Sequence, residues 1–99
     1  MDRSDLFSQP DVHQLVRAFL LLRREEDVEA FLTDLCTPRE ICDFGQRLMV
    51  ARLLDAGEPY VEVQSRTGAS STTVSRVSKA LNGEPGGYRR VLIDLGEDA

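Results

Sequence analysis

Hydroxyl and cationic side chains cluster in one short stretch of this sequence, between positions 71 and 79. They are Ser71, Thr72, Thr73, Ser75, Arg76, Ser78 and Lys79. If this stretch is a helix with Val74 and Val77 packed against a core, the hydroxyl and cationic side chains lie on its outward face. Short hydroxyl groups with a few cations suit the floor of a DNA major groove, where Ser and Thr contact either base edges or phosphates. The stretch therefore predicts a DNA-reading helix.

The sequence has no residues with the types and spacing of an enzyme or metal site. No nucleophile has a neighbouring base, no carboxylates form a recognisable pair, and the glycine-rich segment 83–87 reads more simply as a linker than as a phosphate cradle. His13 is the only histidine, and Cys36 and Cys42 form no CxxC pair. We therefore expect two buried apolar thiols, no metal, no cofactor and no catalytic residues.

The hydroxyl-rich helix needs a second helix to hold it, and the preceding residues predict one. A short polar helix should run from position 60 to about 67, and the predicted DNA-reading helix from position 71 to about 82. Gly68 supplies the positive φ that a tight turn between helices needs. Ser70 is a good N-cap because its hydroxyl can accept from a backbone N–H in the next turn. Together they predict a helix-turn-helix over about residues 60–83.

Apolar residues recur at helical spacing in the rest of the chain, and no strand-like alternation appears. Residues 1–9 are expected to be frayed and flexible, with one helix starting at Pro10 and another near Val28. A helix from Pro38 to about Ala56 is apolar on more than one face, which predicts a central, buried helix. A last amphipathic helix should begin near Tyr88. The predicted fold is all-α, with about six helices.

The length and composition favour a single domain over residues 1–99, or one subunit of a larger assembly. No apolar run approaches the roughly 20 residues of a membrane span, and the acidic N-terminus resembles no secretory signal, so we expect a cytoplasmic protein without membrane contact.

Residues 19–22 are more apolar than one helix face needs. This surplus suggests a second copy of the chain as its cover.

The net charge of −5 is unevenly distributed along the sequence. Residues 1–58 contain seven basic and twelve acidic residues, whereas residues 59–90 contain five basic and two acidic ones. The cationic helix-turn-helix can release counterions from DNA, while the acidic remainder limits indiscriminate binding to phosphate. We expect weak non-specific affinity that depends steeply on salt.

Four segments of the sequence carry a resemblance to a known family, and they are DLCTPREI at 34–41, GQRLMVARLLDAGEPY at 45–60, TGASSTTVSRV at 67–77 and GGYRRVL at 86–92. Together they closely resemble the YerC/YecD branch of the Trp repressor-like proteins. The likeness covers roughly residues 25–95, with order and spacing kept. It implies an intertwined homodimer that binds double-stranded DNA, with two recognition helices entering successive major grooves about 34 Å apart on a palindromic operator.

The resemblance and the residue types together give a predicted DNA-contacting set. It consists of Gln64, Arg66, Ser70, Ser71, Thr72, Thr73, Ser75, Arg76, Lys79 and Asn82. The resemblance implies that Gln64 lies near a phosphate and that Asn82 lies near the end of the recognition helix. The residue types indicate that Thr73 and Ser75 read base edges. The predicted phosphate contacts are Arg66, Arg76, Lys79 and, as a further candidate, Arg89.

The resemblance also implies an effector pocket, since Arg47, Arg76 and Thr37 match positions that line the tryptophan site of the family. Two guanidinium groups suit a carboxylate. However, Val77 and Ala80 stand where the family has a glycine and a serine beside the ligand, and a branched side chain takes space that the indole needs. We expect another small anion or no ligand in place of tryptophan, with the pocket filled by the protein itself.

The leading interpretation is a sequence-specific transcriptional regulator, most simply a repressor. The alternative is a protein–protein interaction module on a helix-turn-helix scaffold, which the acidic remainder of the chain favours. Elution from heparin distinguishes the two, because retention to moderate salt favours DNA as the partner.

Overall fold

The computed structural model of the chain describes residues 2–96, and these residues form seven α-helices and no strand. The helices are α1 (Arg3–Ser8), α2 (Pro10–Leu20), α3 (Glu25–Leu35), α4 (Pro38–Asp55), α5 (Tyr60–Thr67), α6 (Ser71–Leu81) and α7 (Gly87–Leu95). The all-α prediction is confirmed. The chain divides into two compact units, one ending at Pro38 and the other beginning at Arg39. The prediction of a single domain stays a prediction.

The N-terminal unit contains more helix than the sequence analysis expected. α1 occupies residues 3–8 of the segment expected to be frayed, and it begins where the Asp2 carbonyl accepts from the Leu6 N–H at 3.0 Å. α3 begins three residues before Val28 and takes part of the charged stretch into its first turn. Acidic side chains there are favourable because they lie at the positive end of the helix dipole.

The apolar side chains of the N-terminal unit remain on its surface. None of the residues in α1, α2 and α3 is buried. The rings of Phe19 and Phe31 meet edge to face, with centroids 5.3 Å apart, but Leu20 and Leu21 are 75% and 80% exposed. In the single chain, three of the residues in the surplus predicted at 19–22 are therefore exposed, and Leu22 is half-buried.

The core of the C-terminal unit joins α4 to the helix-turn-helix. Its buried members are Val50, Ala51, Val63, Ala69, Val74 and Val77, and Leu53, Leu54, Tyr88 and Leu92 pack against them. The buried side chains are small or β-branched, so the helices can pack closely. This core fixes which faces of α5 and α6 point outward.

The prediction that the Pro38–Ala56 helix is buried is wrong for the single chain. Val50 and Ala51 are fully buried, whereas Phe44 and Met49 are 48% and 47% exposed. The α4 residues in or against the core are Val50, Ala51, Leu53 and Leu54, whereas Phe44 and Met49 lie outside it. Cys42 is likewise exposed, and since Cys36 is only half-buried, the prediction of two buried thiols is wrong as well.

The predicted helix-turn-helix is confirmed by α5, α6 and the turn between them. α5 ends at Gly68, whose φ of 75° is in the left-handed region. The Ser70 hydroxyl accepts from the Thr73 N–H at 3.1 Å, as an N-cap does. In the turn, the Thr67 hydroxyl accepts from the Ala69 N–H at 3.1 Å. Local hydrogen bonds thus satisfy the backbone where the chain changes direction.

Removal of the α6 cap should destabilise the protein. We expect Ser70→Ala to lower the free energy of unfolding by about 1 kcal/mol, because a free backbone N–H is left at the helix start. Urea unfolding at a fixed protein concentration measures this. Ser71→Ala is the control, since the exposed Ser71 side chain makes no hydrogen bond within the described chain. Equal losses in the two variants would contradict a capping role for Ser70.

Candidate nucleic-acid interface

The outward face of α6 brings hydroxyl groups and one cation together. A shallow depression is lined by Tyr60, Ser71, Thr72, Ser75 and Arg76. All five are exposed, while Val74, Val77 and Leu81 bury the other face of α6. Rotation of the helix would expose those apolar side chains to water, so packing holds the hydroxyl face outward.

Tyr60 is a residue of this depression that the sequence analysis did not single out. It is the first residue of α5, and the fold places it beside the first residues of α6. A tyrosine hydroxyl donates readily to a phosphate oxygen. The sequence shows an aromatic residue at a predicted helix start. A role for it in the interface follows only from the fold, which brings the starts of α5 and α6 together.

Thr73 and Ser75, the two predicted base-reading residues, line different cavities. The Ser70 hydroxyl donates to Thr73 Oγ1 at 3.1 Å, and both residues line a cavity that Ser75 does not. Thr73 is half-buried as a residue, and its hydroxyl oxygen is engaged within the protein. Thr72 and Ser75 are better placed than Thr73 to contact DNA.

The cations predicted to hold phosphates differ in whether a carboxylate lies beside them. Arg76 and Lys79 are exposed and form no ion pair with any residue in the range 2–96. Arg66 instead lies beside Glu58, with Nη1 and Oε1 3.7 Å apart. Because a neighbouring carboxylate competes with phosphate for the guanidinium, Arg66 is less available to DNA than Arg76 or Lys79.

Asn82 is engaged at both ends of its side-chain amide. Its Nδ2 donates to the Ser78 carbonyl at 2.9 Å, and its Oδ1 accepts from Arg89 Nη2 at 2.8 Å. Arg89 Nη1 also donates to Asp55 Oδ1 at 3.3 Å. A DNA contact by Asn82 or Arg89 would have to replace these bonds. Gln64 is half-buried on α5, and its phosphate contact stays a prediction.

A second cavity of about 670 Å³ contains both arginines of the predicted effector pocket. Arg47 extends from α4 and Arg76 from α6, and Val77 and Ala80 form part of the wall between them. The Arg47 guanidinium lies over a ring of its own helix, 5.0 Å from the Phe44 centroid. Thr37 belongs to the N-terminal unit, so its place in an effector site stays a prediction.

The expectation that the protein itself fills this pocket is not met by the single chain and stays a prediction for the predicted dimer. Val77 is 3% exposed because its side chain packs into the core, so it lines the cavity without occupying it. Arg39 and Asp43 on another wall pair with each other at 3.6 Å. Since Arg47 and Arg76 have no carboxylate partner within the described chain, the open space carries an excess of positive charge.

Neither a metal-binding cluster nor a membrane-spanning helix occurs among residues 2–96. Within residues 2–96, no three or more His, Cys, Asp and Glu side chains are grouped so as to hold a metal ion. No helix in that range combines the length and the apolar character needed to cross a bilayer.

Sequence comparison relates nearly the whole chain to one family. The sequence pattern of the family described as Trp repressor protein matches residues 10–95. A protein of Bacillus subtilis (strain 168), described as uncharacterized protein YerC, is 40% identical over 82 residues, which make up 83% of this chain and 79% of that protein.

Two solved structures are similar along nearly their full length. A TrpR-like protein from Eubacterium eligens ATCC 27750 has a TM-score of 0.84 and 38% identity, covering 92% of this chain and 94% of its own. A candidate Trp repressor from Staphylococcus aureus has a TM-score of 0.87 and 30% identity, covering 96% of this chain and 95% of its own. The predicted resemblance is confirmed.

The Glu58–Arg66 ion pair should lower affinity for polyanions. We expect Glu58→Gln to move elution from heparin to higher salt, because it releases Arg66 as well as removing a negative charge. Glu62→Gln is the matched control, since Glu62 is an exposed residue of α5 that forms no ion pair within residues 2–96. Equal shifts in the two variants would mean that the loss of charge alone accounts for the effect.

Proposed function

Because this chain belongs to the Trp repressor family, we propose that it is a sequence-specific DNA-binding transcriptional regulator that acts as a repressor. The observation that carries the proposal is the exposed hydroxyl face of α6, held outward by a buried apolar face. An α-helix with this surface fits the major groove and offers groups that hydrogen-bond to base edges. The family is one of transcription regulators and not of enzymes.

The proposed contacts divide between bases and phosphates. Thr72 and Ser75 lie on the outward face of α6 and contact base edges. Arg76 and Lys79 hold phosphates, since both are exposed and without an acidic partner in the described chain. Tyr60 adds a phosphate contact from the start of α5. Phosphate contacts fix the position of the protein on the duplex, and the hydroxyl groups select the sequence.

A second copy of the chain is the proposed cover for the exposed apolar side chains of each unit. Leu20 and Leu21 of the N-terminal unit are 75% and 80% exposed, and Ile93 of the C-terminal unit is 78% exposed. Burying such side chains between subunits is favourable. A homodimer presents two α6 helices, so it favours a palindrome with half-sites about one helical turn, roughly 34 Å, apart. A cytoplasmic location goes with this role.

Selection from random duplex DNA tests the proposed function. Purified protein is incubated with the pool at near-physiological salt, at a concentration where sedimentation shows a dimer, and the bound duplexes are sequenced. We expect an enriched palindrome with half-site centres about one helical turn apart. A pool without a motif, together with flow-through on heparin, would instead support the protein-interaction alternative.

Two variants in the same selection separate the proposed roles. Lys79→Ala should weaken binding to all sequences alike and lower the slope of log affinity against log salt by about one, because one phosphate contact is lost. Thr72→Val keeps the shape of the side chain but removes its hydroxyl, so it should change which sequence is enriched. Uniform weakening by both variants would contradict direct reading by α6.

The effector cavity is proposed to bind a small anion other than tryptophan. Its two guanidinium groups have no carboxylate partner in the described chain and supply the charge. Val77 in the cavity wall takes up room that a smaller residue would leave to an indole ring. Calorimetric titration of the purified dimer with tryptophan should give no binding heat, and operator affinity should be unchanged by tryptophan. Micromolar binding of tryptophan would overturn this proposal.

A further inference from the structure

We propose that Arg89 is a positioning residue that sets the orientation of α6, and that it does not hold a DNA phosphate. The inference rests on the proposed function, because α6 is the helix assigned to reading DNA. It concerns a side chain on α7, outside the helix-turn-helix. The proposed effect on DNA reading passes through the contacts that Arg89 makes inside the protein.

Arg89 connects the ends of three helices. It lies in the first turn of α7, its Nη1 donates to Asp55 Oδ1 at 3.3 Å, and its Nη2 donates to Asn82 Oδ1 at 2.8 Å. Asp55 is the last residue of α4, and Asn82 is the C-cap of α6. One planar guanidinium therefore joins α7 to the C-terminal ends of α4 and α6.

The connection continues into the last turn of α6. Asn82 uses its carbonyl oxygen for Arg89 and its Nδ2 for the Ser78 carbonyl, at 2.9 Å. The two bonds fix the orientation of the amide, because the oxygen can only accept and the nitrogen can only donate. A continuous set of hydrogen bonds thus runs from Asp55 through Arg89 and Asn82 to the backbone of α6.

Hydrogen bonds of this kind can set the orientation of α6, which the apolar core alone does not. Burial of Val74 and Val77 holds α6 against the core, but the hydrophobic effect has no preferred direction. Hydrogen bonds weaken steeply with a change of angle. The Arg89 contacts are partly exposed, so they add little to the free energy of unfolding. They can still set the angle of α6, on which the fit of its side chains to base edges depends.

Replacement of Arg89 by lysine tests the proposal without a change of charge, because it removes only the planar, two-pronged shape of the guanidinium. A lysine ammonium is a compact point charge and does not reproduce a planar fork that holds two acceptors in fixed geometry. We expect Arg89→Lys to lower the ratio of operator affinity to non-specific affinity by about fivefold, the equivalent of one lost hydrogen bond. The salt slope should not change, because the charge is kept. The ratio is measured on the selected operator and an unrelated duplex.

Arg90→Lys is the matched control. Arg90 is the exposed neighbour of Arg89 and forms no ion pair within residues 2–96. The same change of side chain at this position should leave the affinity ratio as it is in the unaltered protein. An equal fall in both variants would overturn the proposal, since the effect would then not depend on the Asp55 and Asn82 contacts.

Asp55→Asn separates positioning from phosphate contact. It removes a negative charge and weakens the hold on Arg89. If Arg89 positions α6, the affinity ratio falls as it does in Arg89→Lys. If Arg89 holds a phosphate, the freed guanidinium binds all DNA more tightly and Arg89→Lys keeps its affinity. That second pair of results would overturn the proposal.

Hydrogen exchange tests the same contacts without DNA. We expect backbone amides at positions 79–82 to exchange faster in Arg89→Lys and Asp55→Asn than in Arg90→Lys, with amides in the α4 core unchanged. Unchanged exchange at 79–82 would overturn the positioning role whatever the DNA result. Faster exchange there, in a protein that selects no DNA sequence, would support the role of Arg89 and contradict only the proposed function.

Discussion

Close packing between α4 and the helix-turn-helix is the interaction on which the candidate interface depends. Val50 and Ala51 of α4 are fully buried in one cluster with Val74 and Val77 of α6. Because these side chains are small, the helices pack closely, and little apolar surface is needed to hold α6. The orientation of the reading face is therefore a consequence of core packing, and the outward side chains are free to vary without loss of the fold.

Charge is organised around this packing as well. The end of α4 and the loop after it place acidic groups beside the cations of the C-terminal unit, with Asp55 next to Arg89 and Glu58 next to Arg66. Carboxylates at these distances reduce the positive potential that a phosphate meets. Under the proposed function, this arrangement lowers non-specific attraction to DNA and leaves a larger share of the discrimination between sequences to the hydroxyl groups of α6.

One side chain belongs to both cavities of the reading helix. Arg76 lines the shallow depression with Ser75 and also the larger cavity with Arg47. An anion held by Arg76 in the larger cavity would neutralise a charge that DNA could otherwise use. Under the proposed function, occupation of the cavity by an anion and contact with DNA share a single guanidinium.

The sequence by itself determined where the helices of the C-terminal unit begin and end and which residues of α6 face outward. Gly68 and Ser70 act on backbone groups within a few residues, and the apolar spacing of α6 is a local pattern, so both can be read without the fold. The tertiary structure alone decided which cations have acidic partners, how much of α4 is buried within one chain and which residues line the cavity beside α6. Arg89, for example, meets a carboxylate 34 residues away in the sequence. Such contacts depend on how helices distant in the sequence pack, and no local pattern encodes that distance.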